Sequence, residues 1–242
     1  MNHSNIEVNI DSIETMGLVD GPGIRVVIFL QGCHLRCLYC HNPETWDLKT
    51  KKLKSVDEIV DKVLRYKNYI SKNGGVTFSG GEPLLQSEFL KECAIRLKKE
   101  GIHICLDTSG VGEDYDDVLE LIDLFIVDVK SLYEDEYRYI TGRSMNDYNE
   151  FMNKLQKLDK KIWLRQVVVP GINDDENHMI DLANYANSLR NIEKVEILPY
   201  HTYGMKKYEE YHIKYRLMDT PALSKEKEEY LKSILDKHLK IK

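Results

Sequence analysis

The chain has 242 residues, enough for one large domain with a continuous apolar core or for two small ones. With 42% hydrophobic and 31% charged residues it has the composition of a soluble globular protein, and no apolar run approaches the roughly 20 residues that span a bilayer. The net charge of −6 argues against a broad nucleic-acid surface, which needs a clustered positive field. Residues 1–13 lack the basic start and apolar stretch of an export signal, so a cytoplasmic location is expected.

In chain order, the apolar β-branched run at 24–30 predicts a strand. The short basic run Lys49, Lys51, Lys52 and Lys54 reads as a solvated approach to a helix. That helix is expected over 55–71, with Ser55 as N-cap and Glu58 three residues later. A short strand at 76–78 precedes a helix at 86–100 that Gly101 closes. Further strands are expected at 102–106, 124–127, 162–169 and 194–198, and further helices at 114–121, 146–158, 174–189 and 225–239. Six strands, mostly separated by single helices and several of them continuously apolar, imply a parallel sheet with right-handed crossovers. Six units are too few for an eight-fold closed barrel. A partial, laterally open (β/α)6 barrel or an open doubly wound sheet fits, as a single α/β domain with its core at about 20–200 and a C-terminal helical segment at about 220–242.

The chemically distinctive residues follow the predicted strands. Cys33 comes after the first and Ser79-Gly80-Gly81-Glu82 after the second; Asp107 and Thr108 end the third, Asp128 and Lys130 the fourth, and His201 the sixth. In parallel α/β folds these carboxyl ends share one face, where active sites form.

Of five cysteines, three fall within eight residues as Cys33-x3-Cys37-x2-Cys40. Thiolates so spaced on a loop can hold one cubane iron–sulfur cluster, leaving one iron without a protein ligand. The same residues with His34 or His41 would make a Cys3His zinc site, and three unligated thiols are the third reading. Gly80 and Gly81 allow a ligand to approach the backbone closely, or form a plain turn with no ligand. Asp107 and Asp128 can hold a cation or a polar ligand, or cap and tie loops. Lys130 can neutralise a ligand carboxylate or Asp128, and His201 can act as base or ring contact or be structural. Arg165, inside an apolar strand, needs a carboxylate or substrate partner. Cys93 and Cys105 read as small buried hydrophobes, and Trp46 with the tyrosines of 200–215 as a binding rim or as packing.

The segments Asp20-Gly-Pro-Gly-Ile-Arg25, Gln31-Gly-Cys33-His-Leu-Arg-Cys37-Leu-Tyr-Cys40-His41-Asn42-Pro43 and Thr45-Trp46 closely resemble the radical S-adenosylmethionine (SAM) glycyl-radical-activating enzymes. The resemblance continues through Ser79–Glu82, Cys105–Thr108, Asp128–Lys130, Trp163–Arg165, Val167–Gly171 and Leu198–His201. It implies the partial (β/α)6 barrel, one [4Fe-4S] cluster on Cys33, Cys37 and Cys40, and SAM as cosubstrate. Reductive cleavage of SAM would give a 5′-deoxyadenosyl radical that takes hydrogen from a glycine of a partner enzyme. The resemblance further implies SAM contacts from Tyr39, Cys40, His41, Gly80, Gly81, Asp128, Val129, Lys130 and His201. A monovalent cation (Na+ or K+) would lie at Asp107, Thr108 and Asp128, and peptide contacts at Asp20 and Arg165, with Glu82 fixing its turn. No cysteine lies between Asn42 and Ser79, so no ferredoxin-like insert is expected, which favours pyruvate formate-lyase as partner. The electron would come from reduced flavodoxin or a ferredoxin-type donor, and a monomer is expected. A radical SAM enzyme acting on a small molecule and a non-enzymatic zinc module are the competing readings.

Overall fold

The computed structural model describes residues 6–49 and 52–241, so Lys51 of the basic run and residues 1–5 of the N-terminal segment lie outside the described residues. The first element, β1 (Glu7–Gly17), was not predicted. Val8 and Ile10 are buried between more open neighbours, the alternation of a strand with one dry face. Next come β2 (Arg25–Leu30) and β3 (Leu53–Ser55), the latter also unpredicted. The remaining strands fall where the apolar runs placed them, with ends shifted by up to two residues: β4 (Gly75–Gly80), β5 (Ile104–Thr108), β6 (Leu124–Asp128), β7 (Ile162–Val168) and β8 (Ile192–Pro199).

All eight strands form one open sheet in the order β3-β1-β2-β4-β5-β6-β7-β8. From β2 through β8 each neighbouring pair is parallel and follows chain order, which is the expected (β/α)6 arrangement. β1 and β3 join antiparallel at one edge, so the sheet carries two strands beyond the six expected.

The helices are α1 (Val56–Arg65), α2 (Lys67–Ile70), α3 (Ser87–Lys99), α4 (Asp116–Leu119), α5 (Glu134–Thr141), α6 (Asn146–Lys157), α7 (Glu176–Ser188), α8 (Met205–Glu210) and α9 (Lys225–His238). The Ser55–Glu58 capping box forms: the Glu58 amide donates to Ser55 Oγ at 3.2 Å and the Ser55 amide to Glu58 Oε2 at 2.9 Å. The helix expected over 55–71 breaks at Tyr66 into α1 and the short α2. α5 and α8 were not predicted; α5 starts on three acidic residues, which suit the positive end of the helix, and stops at Gly142 in the left-handed region.

The helices cover the sheet over a core that includes Phe78, Phe89, Phe125 and Phe151, with edge-to-face ring pairs. α9 places Leu231 and Leu235 in the same core, and Asn187 of α7 donates to the His238 carbonyl at 2.9 Å. Among the described residues no helix is long and apolar enough to cross a membrane.

Candidate active site

The loop after β2 carries the cysteine motif, and the side chains of Gln31 and Arg36 brace it. Gln31 Nε2 donates to the carbonyls of Glu44 at 2.8 Å and Asp47 at 2.9 Å, tying the two ends of the loop together. Arg36 Nη1 donates to the carbonyls of Cys33 at 2.7 Å and Leu35 at 2.8 Å. The amides of Arg36 and Leu38, on either side of Cys37, donate to the carbonyls of Thr141 at 2.8 Å and Ile140 at 3.0 Å. The last turn of α5 is thereby strapped to the loop.

Gly80 and Gly81 explain themselves first by packing. Gly80 has a φ of 115°, and a Cβ there would meet the Leu30 amide nitrogen at 2.3 Å; a Cβ on Gly81 would meet the Gly32 carbonyl oxygen at 2.2 Å. The Gly81 amide donates to the Leu30 carbonyl at 2.9 Å. Glu82 is fully buried and fixes this turn. It accepts from the Leu84 amide at 3.0 Å, Thr108 Oγ1 at 2.6 Å, and the amide and hydroxyl of Ser109 at 2.9 and 2.5 Å. Burial still pushes its carboxyl above the usual range.

One cavity of about 780 Å3 opens at the carboxyl ends of the strands. Cys33, Cys37, Tyr39, Cys40 and His41 line it from the loop, and Gly80 and Gly81 from the next turn. Asp107 and Thr108 line it from β5, Asp128 and Lys130 from the end of β6, Arg165 from β7 in register with Asp128, and Asp20 from the segment before β2. His201 is not part of the lining but meets the His41 ring edge-to-face at 4.8 Å. Val129 is fully buried in the core, so only its main chain is available. Cys93 and Cys105 are buried away from the cavity. Trp46 lines the cavity, Tyr200, Tyr208 and Tyr215 are buried, and Tyr203 and Tyr211 are exposed.

The charges in this cavity are arranged in pairs. Lys130 Nζ donates to Asp128 Oδ2 at 2.6 Å. Burial alone would lower the Lys130 pKa, but Asp128, Tyr39 and Cys37 outweigh it and hold the ammonium protonated well above its ordinary value. Burial, then the nearby Asp128, pushes Asp107 up to about 7, against a 2.8 Å hydrogen bond from Ser79 Oγ. Asp20 is also raised, chiefly by burial. Burial pushes Cys33 and Cys37 up to about 12.

The Thr108 hydroxyl is already engaged: it donates to Glu82 at 2.6 Å and accepts from the Gly110 amide at 2.9 Å. Arg165 found a carboxylate: it pairs with Glu196 and donates to the Val19 carbonyl. Sequence reasoning missed Glu196 and Lys194, which also line the cavity. The signal was their i, i+2 spacing on one face of a strand beside the strand that carries an arginine in need of a partner; β7 and β8 set Arg165 directly opposite Glu196.

The residues fit a group larger than a single ion. Among the described residues no three His, Cys, Asp or Glu side chains come close enough to share one metal. Zinc would draw its thiolates in to about 2.3 Å, whereas a cubane spreads its three ligands across its corners. The Tyr39 hydroxyl is buried without a hydrogen-bond partner among the described residues, and its ring lies 5.7 Å from Lys130 Nζ in the cavity wall. An orphaned polar atom there calls for a bound polar ligand.

Residues 27–183 match the Radical SAM superfamily model. The chain is 46% identical over 233 residues to the pyruvate formate-lyase-activating enzyme of Clostridium pasteurianum, covering 94% of this chain and 98% of that one. It is 43% identical over 224 residues to the enzyme of that name from Staphylococcus aureus (strain USA300), covering 88% and 89%. A crystal structure of a domain of pyruvate-formate lyase-activating enzyme from Bacteroides vulgatus ATCC 8482 aligns with a TM-score of 0.55 at 27% identity, over 68% of this chain and 94% of that one. The chain belongs to the radical SAM superfamily and, within it, to the family of pyruvate formate-lyase-activating enzymes.

Proposed function

We propose that this chain is an activase that removes a hydrogen atom from a glycine of a pyruvate formate-lyase partner, using one [4Fe-4S] cluster held by Cys33, Cys37 and Cys40. Superfamily membership implies the cluster and SAM. The observation that carries the assignment of residues is the single cavity onto which all three motif thiols, both strand-end aspartates and Lys130 open. Bound there, cluster and SAM together would supply a one-electron cleavage that yields the 5′-deoxyadenosyl radical. The protein's own contribution is orientation and exclusion of water.

Gly80 and Gly81 would meet the SAM amino group through backbone atoms. The Lys130–Asp128 pair, the Val129 main chain and the orphaned Tyr39 hydroxyl meet its polar atoms, and Cys40, His41 and His201 flank it. Asp107, Thr108 and Asp128 would hold a monovalent cation, whose charge would offset the burial that raises the Asp107 carboxyl. Asp20 and Arg165, which also line the cavity, receive the glycine loop. The chain works as a cytoplasmic monomer without a second-cluster insert, with its barrel core at about 20–200 and its C-terminal helical segment at about 220–242. It takes its electron from reduced flavodoxin or a ferredoxin-type donor.

Electron paramagnetic resonance on the anaerobically reconstituted, reduced protein tests this. With SAM and pyruvate formate-lyase added, a SAM-dependent glycyl doublet is expected. A reduced-cluster signal without the doublet would point to a small-molecule substrate, and the absence of any cluster signal would overturn the ligand assignment.

A further inference from the structure

We infer that α8 clamps the Cys40 end of the cysteine loop and that Lys207 and Tyr208 are positioning residues: through the Cys40 carbonyl, Asn42 and Glu44 they tune the cluster's potential and hold the His41 flank of the SAM site. The inference rests on the cluster assignment above. It gives a role to the tyrosines of 200–215, which the sequence left as a binding rim or as packing.

Different parts of the chain hold the two ends of the motif. Arg36 and the last turn of α5 hold the stretch around Cys37. Residues 40–44 are held by the segment 204–208, which lies 163 to 168 residues further along. Tyr208, 3% exposed, donates its hydroxyl proton to the Cys40 carbonyl at 3.0 Å. One residue earlier, Lys207 Nζ donates to Asn42 Oδ1 at 2.7 Å and to Glu44 Oε1 at 2.5 Å. Gly204, just before the helix, packs so closely on His41 that a Cβ there would meet its Nδ1 at 3.3 Å. Exposed ion pairs contribute little, but the Glu44 side chain is only 13% exposed and the same ammonium also serves Asn42.

The clamp is itself backed by buried rings. The Tyr208 ring lies 4.6 Å from that of Tyr215, whose hydroxyl meets the Tyr200 hydroxyl at 2.7 Å, and all three pack in one apolar cluster with Leu38 of the motif. Trp46 completes it: its ring meets Tyr208 edge-to-face at 5.8 Å, and its indole N–H bonds to the Cys40 thiol. Two dipoles therefore converge on Cys40, the indole at its sulfur and the Tyr208 hydroxyl at its carbonyl. Each presents hydrogen toward the ligand and so favours added negative charge. Hydrogen bonds around ligand sulfurs set the potential of a cluster, and outer contacts of this kind orient its ligands.

The test uses two variants of the reconstituted enzyme. Tyr208→Phe keeps the ring packing and loses only the hydroxyl; Lys207→Met keeps the stem and loses both bonds. Iron and sulfide content should stay at wild-type levels in each. In redox titrations followed by electron paramagnetic resonance, the Tyr208→Phe cluster should shift to a more negative midpoint potential, because a dipole favouring the reduced cluster is gone. In Lys207→Met the SAM concentration that half-converts the reduced-cluster signal should rise about fivefold, the loss of one ordinary hydrogen bond, and Lys207→Arg should restore most of it. In the cluster-free variants, hydrogen exchange at the amides of 40–46 should quicken while that of β4 to β6 stays as in wild type. Wild-type potential and SAM dependence in the Tyr208→Phe/Lys207→Met double variant would overturn the inference. So would a loss of iron in step with a general fall in melting temperature, because α8 would then be ordinary packing. A wild-type protein that assembles no cluster would overturn the cluster assignment beneath it, which iron and sulfide analysis of wild type alone reveals.

Discussion

The two ends of the barrel bury the same residue types to opposite purpose. At the floor, Cys105 packs with Leu124, Ile126 and Trp163, and Arg25 is fully buried against main-chain and hydroxyl oxygens. Arg25 Nε donates to Thr77 Oγ1 and Nη2 to the Val76 carbonyl, both at 2.5 Å, and Nη1 to the Pro22 carbonyl at 2.9 Å. At the mouth, Cys37 and Arg165 are also buried, but they face the cavity. Burial pushes both thiols up to about 12, so acidity does not tell them apart. The arginines do differ. Burial lowers the Arg25 pKa, whereas Asp107 and Glu196 overcome burial and raise that of Arg165. A charge satisfied by neutral acceptors belongs to the fold; one balanced by carboxylates beside a cavity is available to a ligand.

The comparison is tested most strongly by Cys37→Ala. Iron and sulfide content and radical formation should fall to background, while the melting temperature of the cluster-free protein should change little. Full iron and activity in this variant would remove Cys37 from the ligand set. Arg25→Met should do the reverse. Losing a buried charge-assisted network costs about 3 kcal/mol or more, so the melting temperature should fall by about 10 °C, with cluster content per folded molecule unchanged. A fall under 2 °C would mean that the floor does not depend on this arginine.

Much of this contrast is legible in the sequence, because it rests on local pattern. The apolar runs locate all six parallel strands, and strand ends in a parallel fold must share a face, which gathers Cys33, Gly80, Asp107 and Asp128 before any coordinates are known. β1 is less legible because Glu7 to Gly17 buries only Val8, Ile10 and Gly17 fully and reads as a polar stretch. β3, at three residues, is too short for any periodicity. α5 hides because the crossover from β6 to β7 holds two helices, and α6 alone accounts for its length. The Thr108 hydroxyl turns to Glu82, 26 residues away, and Glu196 meets Arg165 only through the β7–β8 register; long-range partners of this kind carry no local signal.

Cys105→Ala is the floor counterpart of Cys37→Ala and should have a smaller effect. Removing one buried sulfur costs about 1–2 kcal/mol, or a few degrees in melting temperature, and should leave iron, sulfide and radical yield at wild-type levels. Loss of iron here would mean that the floor thiol takes part in the cluster and that the separation of floor from mouth is wrong.

Asp107→Asn should act with the opposite sign. The Asp107 carboxyl is raised from 3.8 to about 7 in the folded chain, mainly by burial and next by Asp128. Between pH 4 and 7 the folded state therefore holds a proton that the unfolded state releases, so stability falls as pH rises through this window; above it both states are ionised and the penalty is constant. Asparagine carries no such penalty. In the cluster-free protein the variant should melt above wild type at pH 8, with the gain shrinking steadily and vanishing near pH 4. Adding Na+ or K+ at pH 8 should stabilise wild type more than the variant, because only a carboxylate rewards a cation beside it. An equal salt response in the two proteins would detach Asp107 from the proposed cation position, while a gain that grows toward low pH would show that its carboxyl is ionised and favourably paired in the fold.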